Sequence, residues 1–292
     1  MKNIANNLTY RILILITFSV LLSGTAQAQD KPDNSPIDSP WGCSQLIDNQ
    51  TVVTPEKGLT ELIINHRFGK ITQISDLFGI YAPSNIRVGV NYGITDKIMV
   101  GLGTEKDNKM QELLWKYNIF TQTKSGSMPV SVSYFGNVVL DARNKDVFGA
   151  DYKFTYRLSY FNQIIIGRKF SDKLSFQTAG GYAHFNSVDS VKQNDYLGIS
   201  VGGRFIVYNE LSIIAEYDQP IPLTSLIRYY QADYTPKPNY ALGIEISTGT
   251  HTFQVFAAQY KNIIIQKNIA YNLNDLTQGD WLLGFNITVR FY

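Results

Sequence analysis

The sequence predicts an all-β fold: a closed antiparallel transmembrane β-barrel of about twelve strands. Three observations lead there. Apolar and small or polar residues alternate with period two from Leu59 to Tyr292, which places one residue set on each face of a strand. The connections between alternating segments are short and long by turns, the layout of an outer-membrane barrel. A leader at the start directs the chain out of the cytoplasm.

The leader comes first in the chain. Lys2 and Arg11 precede an apolar run from Ile12 to Leu22, and Ala26-Gln27-Ala28 supplies small residues for cleavage. About eleven apolar residues fall short of the roughly 20 needed for a spanning helix, so residues 1–28 read as a cleaved signal peptide. Residues 29–58, rich in Pro, Asp, Asn and Ser, have the composition of a periplasmic N-terminal arm. Cys43 is the single cysteine, which excludes an internal disulfide. It lies too far beyond the cleavage point to anchor a lipid.

Residues 59–292 form the barrel. Strands are expected to begin near Leu59, Asn85, Asp96, Gln111, Pro129, Tyr152, Lys173, Asp195, Leu211, Tyr240, His251 and Asp280. Within them Ile86, Val88, Val90, Tyr92 and Ile94 oppose Asn85, Arg87, Gly89, Asn91 and Gly93. Leu197, Ile199, Val201, Phe205 and Val207 likewise oppose Gly198, Ser200, Gly202 and Arg204. Long loops are expected at 69–84, 105–110, 141–151, 186–194, 218–239 and 261–279, all at one end. Both termini fall at the other, periplasmic end. Closure follows from the medium, because an unpaired strand edge in lipid leaves backbone groups unsatisfied at several kcal/mol each. The final strand, with Trp281, Leu283, Phe285, Ile287, Val289 and Phe291 on one face, ends on aromatics suited to an interfacial girdle.

Composition limits function. Charged residues make up 17% of the chain, against about 25% in soluble domains. The net charge is +2, and losing Lys2 and Arg11 with the leader leaves 24 basic against 24 acidic residues. That balance argues against nucleic acid as a partner. Membrane lipid, lipopolysaccharide and the barrel-assembly machinery are the expected partners, with an unknown surface partner as a further possibility.

Several segments carry a family resemblance. Leu46-Ile47-Asp48-Asn49-Gln50-Thr51-Val52, Ile64-Asn65-His66-Arg67-Phe68-Gly69, Asp76-Leu77-Phe78-Gly79, Asn85-Ile86-Arg87, Gly243-Ile244-Glu245-Ile246, His251-Thr252-Phe253-Gln254 and Gly284-Phe285-Asn286-Ile287 occur in that order. Together they resemble a family of outer-membrane barrels of unknown function from Bacteroidetes-type Gram-negative bacteria. The resemblance implies fold and location from about Leu46 onward, and no activity.

Catalytic and metal signatures are weak. His66, His184 and His251 have no serine two residues away on the same strand face, and no Gly-x-Ser-x-Gly elbow occurs. No ligand cluster or calcium-loop spacing is present, Asp189 and Asp195 included. The sequence therefore reads as a non-enzyme without cofactor or metal, with an outer-membrane hydrolase as the third reading.

The informative set faces away from lipid. Continuing the alternation inward collects Arg67, Arg87, Lys116, Lys153, Arg157, Arg204 and Arg290 with Glu61, Glu112, Glu216 and Glu245. An Arg or Lys in mid-bilayer costs about 2–4 kcal/mol, so the lumen is their place. They either pair and fill the barrel or line a path that favours anions. The leading expectation is a passive or selective pore for a small hydrophilic or anionic solute. The alternative is a non-conducting barrel with ligand- or partner-binding external loops, among them the tyrosines Tyr229, Tyr230 and Tyr234. The apolar loop 69–84, with Leu77, Phe78, Ile80 and Tyr81, is expected to fold over or into the mouth.

Overall fold

The computed structural model describes residues 32–71, 75, 77, 79–189, 192–223 and 234–292. The segment 1–28 expected to be a signal peptide, Phe78, Tyr229 and Tyr230 lie outside the described residues.

Twelve antiparallel strands close into one barrel: β1 (Thr60–Arg67), β2 (Asn85–Thr95), β3 (Ile98–Glu105), β4 (Met110–Phe120), β5 (Ser131–Asp141), β6 (Leu158–Lys169), β7 (Leu174–Phe185), β8 (Asp195–Tyr208), β9 (Leu211–Pro222), β10 (Asn239–Ser247), β11 (His251–Ala258) and β12 (Leu282–Phe291). Each strand pairs with its sequence neighbours. The seam is β1 on β12, running from Thr60 opposite Phe291 to Arg67 opposite Gly284. No edge is left, as a hydrocarbon medium requires. The alternation follows the sequence pattern. In β2, Asn85, Arg87, Gly89, Asn91 and Gly93 are buried, while Val88, Val90, Tyr92 and Ile94 are exposed to the surroundings.

One strand start differs from the sequence reading. Residues 152–157 continue the alternation, yet Phe154–Arg157 form a 3-10 turn and β6 begins only at Leu158. Lys153 is consequently an exposed loop residue rather than a lumen residue. Arg157 sits half-buried at the long-loop mouth. At the same end, the loop expected from Asp218 begins later, because β9 runs through Pro220 to Pro222.

The interior is not empty. From the short-turn end the N-terminal arm crosses the β4–β5 turn, where Pro36 bridges Thr123. It then dips into the barrel over residues 41–52 and returns to β1. From the long-loop end the β11–β12 connection, residues 259–281, sends α1 (Ile265–Tyr271) into the lumen. Trp41, Leu46, Ile47 and Val52 of the arm and Ile265, Ile269 and Ala270 of α1 join wall residues such as Leu114, Phe135, Phe161 and Ile214 in one apolar core. One expectation is corrected here. The arm is no periplasmic linker over 41–52: Ser44, Gln45, Asp48, Asn49, Gln50 and Thr51 are all buried, and their polarity answers a polar wall instead of water. In the loop 69–84 the described Leu77 and Ile80 are 46% exposed and Tyr81 76%, so these three side chains are not packed into the lumen.

Candidate functional site

The polar lumen wall and the two segments that occupy it form the candidate site. The arm makes a tight turn inside the barrel, closed by the Leu46 amide donating to the Asn49 carbonyl at 2.9 Å. The tip of this turn docks on one carboxylate. The amides of Ile47, Asp48 and Asn49 donate to Glu216 at 3.0, 2.9 and 3.0 Å, and the Asn49 side-chain amide donates to Asp218 at 2.8 Å. Three consecutive N–H groups on one carboxylate give charge-assisted bonds, roughly twice as strong as neutral ones. Glu216 is therefore the latch of the arm. Its strand position follows from the alternation, with Ala215 and Tyr217 outward and Glu216 inward.

Other wall residues hold the arm through its backbone carbonyls. Lys116 donates to Ser44 O at 2.7 Å and Val53 O at 3.0 Å. Ser133 reaches Val52 O at 2.8 Å, Gln177 reaches Gln50 O at 2.9 Å and Asn286 reaches Ile47 O at 2.6 Å. Arg67 pairs with Asp48 at 3.2 Å, and Glu61 accepts from the Ser44 hydroxyl. Gly42 is required by close approach: a Cβ there would lie 2.7 Å from Ser247 Oγ and 2.8 Å from Glu245 Oε1.

The lumen helix meets the arm. Asn268 of α1 donates to Asp48, and Tyr260 donates to Glu216 at 3.3 Å. Gln266 exchanges bonds with Asn137 at 3.2 Å. Glu105 receives the Ile263 amide at 3.1 Å. The two inserted segments thus touch near the middle of the wall, and together they obstruct the lumen.

The sequence-derived charge set divides accordingly. Arg87 pairs with Glu112 at 2.5 Å and Arg204 with Glu245 at 2.6 Å, strand to strand. Gly103 leaves room for the Arg87 guanidinium, which a Cβ would approach to 2.4 Å. Arg67, Lys116, Glu61 and Glu216 engage the arm. Arg290 lies half-buried at the short-turn end, bonded to Thr252 at 2.6 Å and Thr248 O at 3.1 Å. Lys153 and Arg157 stand outside the lumen. Among the described residues the expected excess of bases is reversed: the buried charges are the acids Asp48, Glu61, Glu105, Glu112, Asp141, Glu216, Asp218 and Glu245 against the bases Arg67, Arg87, Lys116, Arg204 and Lys267. Sequence reasoning missed Glu105 and Asp141, the last residues of β3 and β5, and Asp218, inside β9, because all three were read as the start of a loop. It missed Lys267 because α1 was read as part of an external loop. The run Asn262-Ile263-Ile264-Ile265, with Ile269 one helical turn on, was the available signal for that inserted helix.

At the long-loop mouth, Tyr234 packs edge-on against Tyr271, ring centroids 6.4 Å apart. Asp141 and Arg143 form a two-pronged pair whose shortest contact is 2.6 Å, and this hydrogen bonding raises the Arg143 pKa above its ordinary value. His184 is the histidine nearest a catalytic arrangement. Its Nδ1 faces Asp195 at 2.6 Å, but Asn186 takes Nε2 at 3.0 Å, so no hydroxyl nucleophile stands where a triad needs one. Among the described residues no group of three or more His, Cys, Asp or Glu is placed to hold a metal ion.

A family model described as Membrane bound beta barrel domain (DUF5777) matches residues 43–291. Among solved structures, an outer membrane channel from Pseudomonas putida F1 is similar, with a TM-score of 0.50 at 10% identity over 82% of this chain and 98% of that one. The NanC porin aligns with a TM-score of 0.49 at 10% identity over 80% of this chain and 99% of the porin. No curated protein matches the sequence.

Proposed function

The chain belongs to this family of membrane-bound β-barrel domains, and on that premise we propose that it is an outer-membrane pore for small hydrophilic solutes, held shut in the described state by its own arm and lumen helix. The observation that carries the reading is the chemistry of the wall behind the two segments. Asn65, Asn91, Asn137, Gln163, Gln177, Gln254 and Asn286 line it together with the charged residues. Such a wall exchanges hydrogen bonds with a peptide for hydrogen bonds with water at little net cost, so it suits a lumen that becomes wet when the segments move. The surplus of acids supports neutral or cationic solutes over anions.

A second reading has its own observation. The arm and α1 also contribute to a continuous apolar core, which favours a permanently sealed barrel that acts through its loops. Liposome swelling with small neutral sugars separates the two. In the pore reading Glu216→Ala frees the arm and speeds sugar entry over wild type. Equal impermeability of both proteins, each correctly folded, supports the sealed barrel and sinks the pore.

A further inference from the structure

A cavity of about 450 Å³ opens at the long-loop mouth, bounded by the β5–β6 loop, the β7–β8 loop and the exposed end of α1. That volume is in the range of small-molecule sites. Six charged groups line it, and their pairing decides what it attracts. Asp141 is taken by Arg143 at 2.6 Å and Asp189 by Lys192 at 2.5 Å. Those two pairs cancel. Two cations remain without a carboxylate ion pair among the described residues.

The first is Arg157. Its guanidinium is held by neutral acceptors only, Tyr152 Oη at 2.6 Å and the carbonyls of Asp141 and Arg143 at 2.7 and 2.6 Å. It also lies over the Phe148 and Tyr152 rings, 4.9 and 5.0 Å from their centroids. The group is thereby fixed in orientation with its charge uncompensated. The second is Lys267 on α1. Its residue is 6% exposed, it lines the cavity, and it makes no side-chain hydrogen bond or ion pair among the described residues. Glu105, Asp141 and Asp107 act on it favourably through space and Arg143 unfavourably, but none of the three acids forms an ion pair with it among the described residues: Asp141 is paired with Arg143, Asp107 with Lys261, and Glu105 accepts from Asn85 and Ile263. The ammonium of this largely buried residue lines the cavity without a direct partner among the described residues, and a bound anion would supply that contact.

We propose that this mouth cavity binds a small anionic solute bearing a carboxylate or phosphate group, held between Lys267 and Arg157. Val147, Phe148, Val188 and Tyr271 give the same wall apolar surface, which suits a ring-sized body beside the charge. The site goes beyond the pore reading, because binding at the mouth requires no conduction. Phosphate groups of lipopolysaccharide share this chemistry, but the cavity lies between the loops and the lumen helix, away from the lipid-facing wall. A free solute is therefore the assigned source.

Calorimetric titration of the folded, full-length protein in detergent tests the assignment, with glucose 6-phosphate, glucuronate and neutral glucose as probes. At least one anion binds at millimolar concentration or below and glucose does not. Lys267→Met weakens that binding at least tenfold, Lys267→Arg retains most of it, and both variants keep the heat-modifiable gel mobility of the folded barrel. Failure of both anions to bind, equal binding of glucose, or undiminished binding by the folded Met variant overturns the site. Repeating the titration with added lipopolysaccharide separates the sources: loss of the anion's binding signal by competition would assign the site to lipid and overturn the free-solute source. Swelling assays are not part of this test, so its failure is distinguishable from failure of the pore.

Discussion

Glu216 concentrates the account at the scale of one residue. Its carboxylate receives three arm amides and the Tyr260 hydroxyl, so truncation orphans several buried donors at once. Each unsatisfied buried group costs about 1–3 kcal/mol. Glu216→Ala should therefore make the arm sensitive to protease while the barrel keeps its folded gel mobility. Glu216→Gln, which retains an acceptor oxygen, should be milder. If the arm of the Ala variant is as protected as wild type, Glu216 is not the latch. A second residue-scale prediction concerns pH. Hydrogen bonds from Thr277 and then Lys237 hold the Asp275 carboxyl down at about 2. A depressed carboxylate contributes stability above its ordinary value near 3.8 that is lost as pH falls through the folded value. The Asp275 cap on the 3-10 turn at 276–278 should accordingly persist at pH 3.5 and fail only towards pH 2, as amide exchange at Thr277 would report. Loss of protection already near pH 4 would contradict it.

Single strands show where alternation in the sequence is sufficient and where it is not. Eleven of the twelve strand starts are predicted within two residues, including Asn85, Asp195, Leu211 and His251, because period two imprints directly on which side chains meet lipid. The β12 start at Leu282 is also within two residues of the reading at Asp280, as is Ser131 against Pro129. The clear failure is β6, read from Tyr152 but starting at Leu158. Tyr, Lys, Phe, Thr, Tyr and Arg at 152–157 alternate as a strand would, yet no lipid face demands that pattern above the rim. The lumen segments were hidden for a different reason. A peptide that packs against a polar wall carries the same Ser, Asn, Gln and Asp as one in water, so composition alone cannot place 41–52. Face assignment remains open to direct test on β8. Val201 points outward at mid-strand, and Val201→Arg should lower stability by about 2–4 kcal/mol in urea titrations of the folded barrel in bilayers. Wild-type stability in that variant would mean a register wrong by one residue.

At the scale of the whole molecule the two ends of the barrel differ in kind. The connections at 96–97, 170–173, 209–210 and 248–250 are short, whereas those at 68–84, 142–157, 223–238 and 259–281 are long. If the long loops face the exterior, an epitope inserted at Gly149 should bind antibody on intact cells and one at Gly249 should not. Both positions have open space around them. Labelling of Gly249 alone would invert the topology. Between these ends lies the obstruction on which the proposed function turns. The arm enters from the short-turn end and α1 from the long-loop end, and they meet at Asp48 and Glu216. Asn49 and Asp218 are in side-chain contact at 2.8 Å, which offers a way to lock the arm in place. Planar-bilayer recording of Asn49→Cys/Asp218→Cys in a Cys43→Ser/Glu216→Ala background, where the latch is gone and only the disulfide can hold the arm, therefore tests the central claim most directly. A pore shut by its own arm is silent when the pair is oxidised and opens after reduction. Conductance that is indifferent to the state of that disulfide would contradict the claim, as would silence in both states.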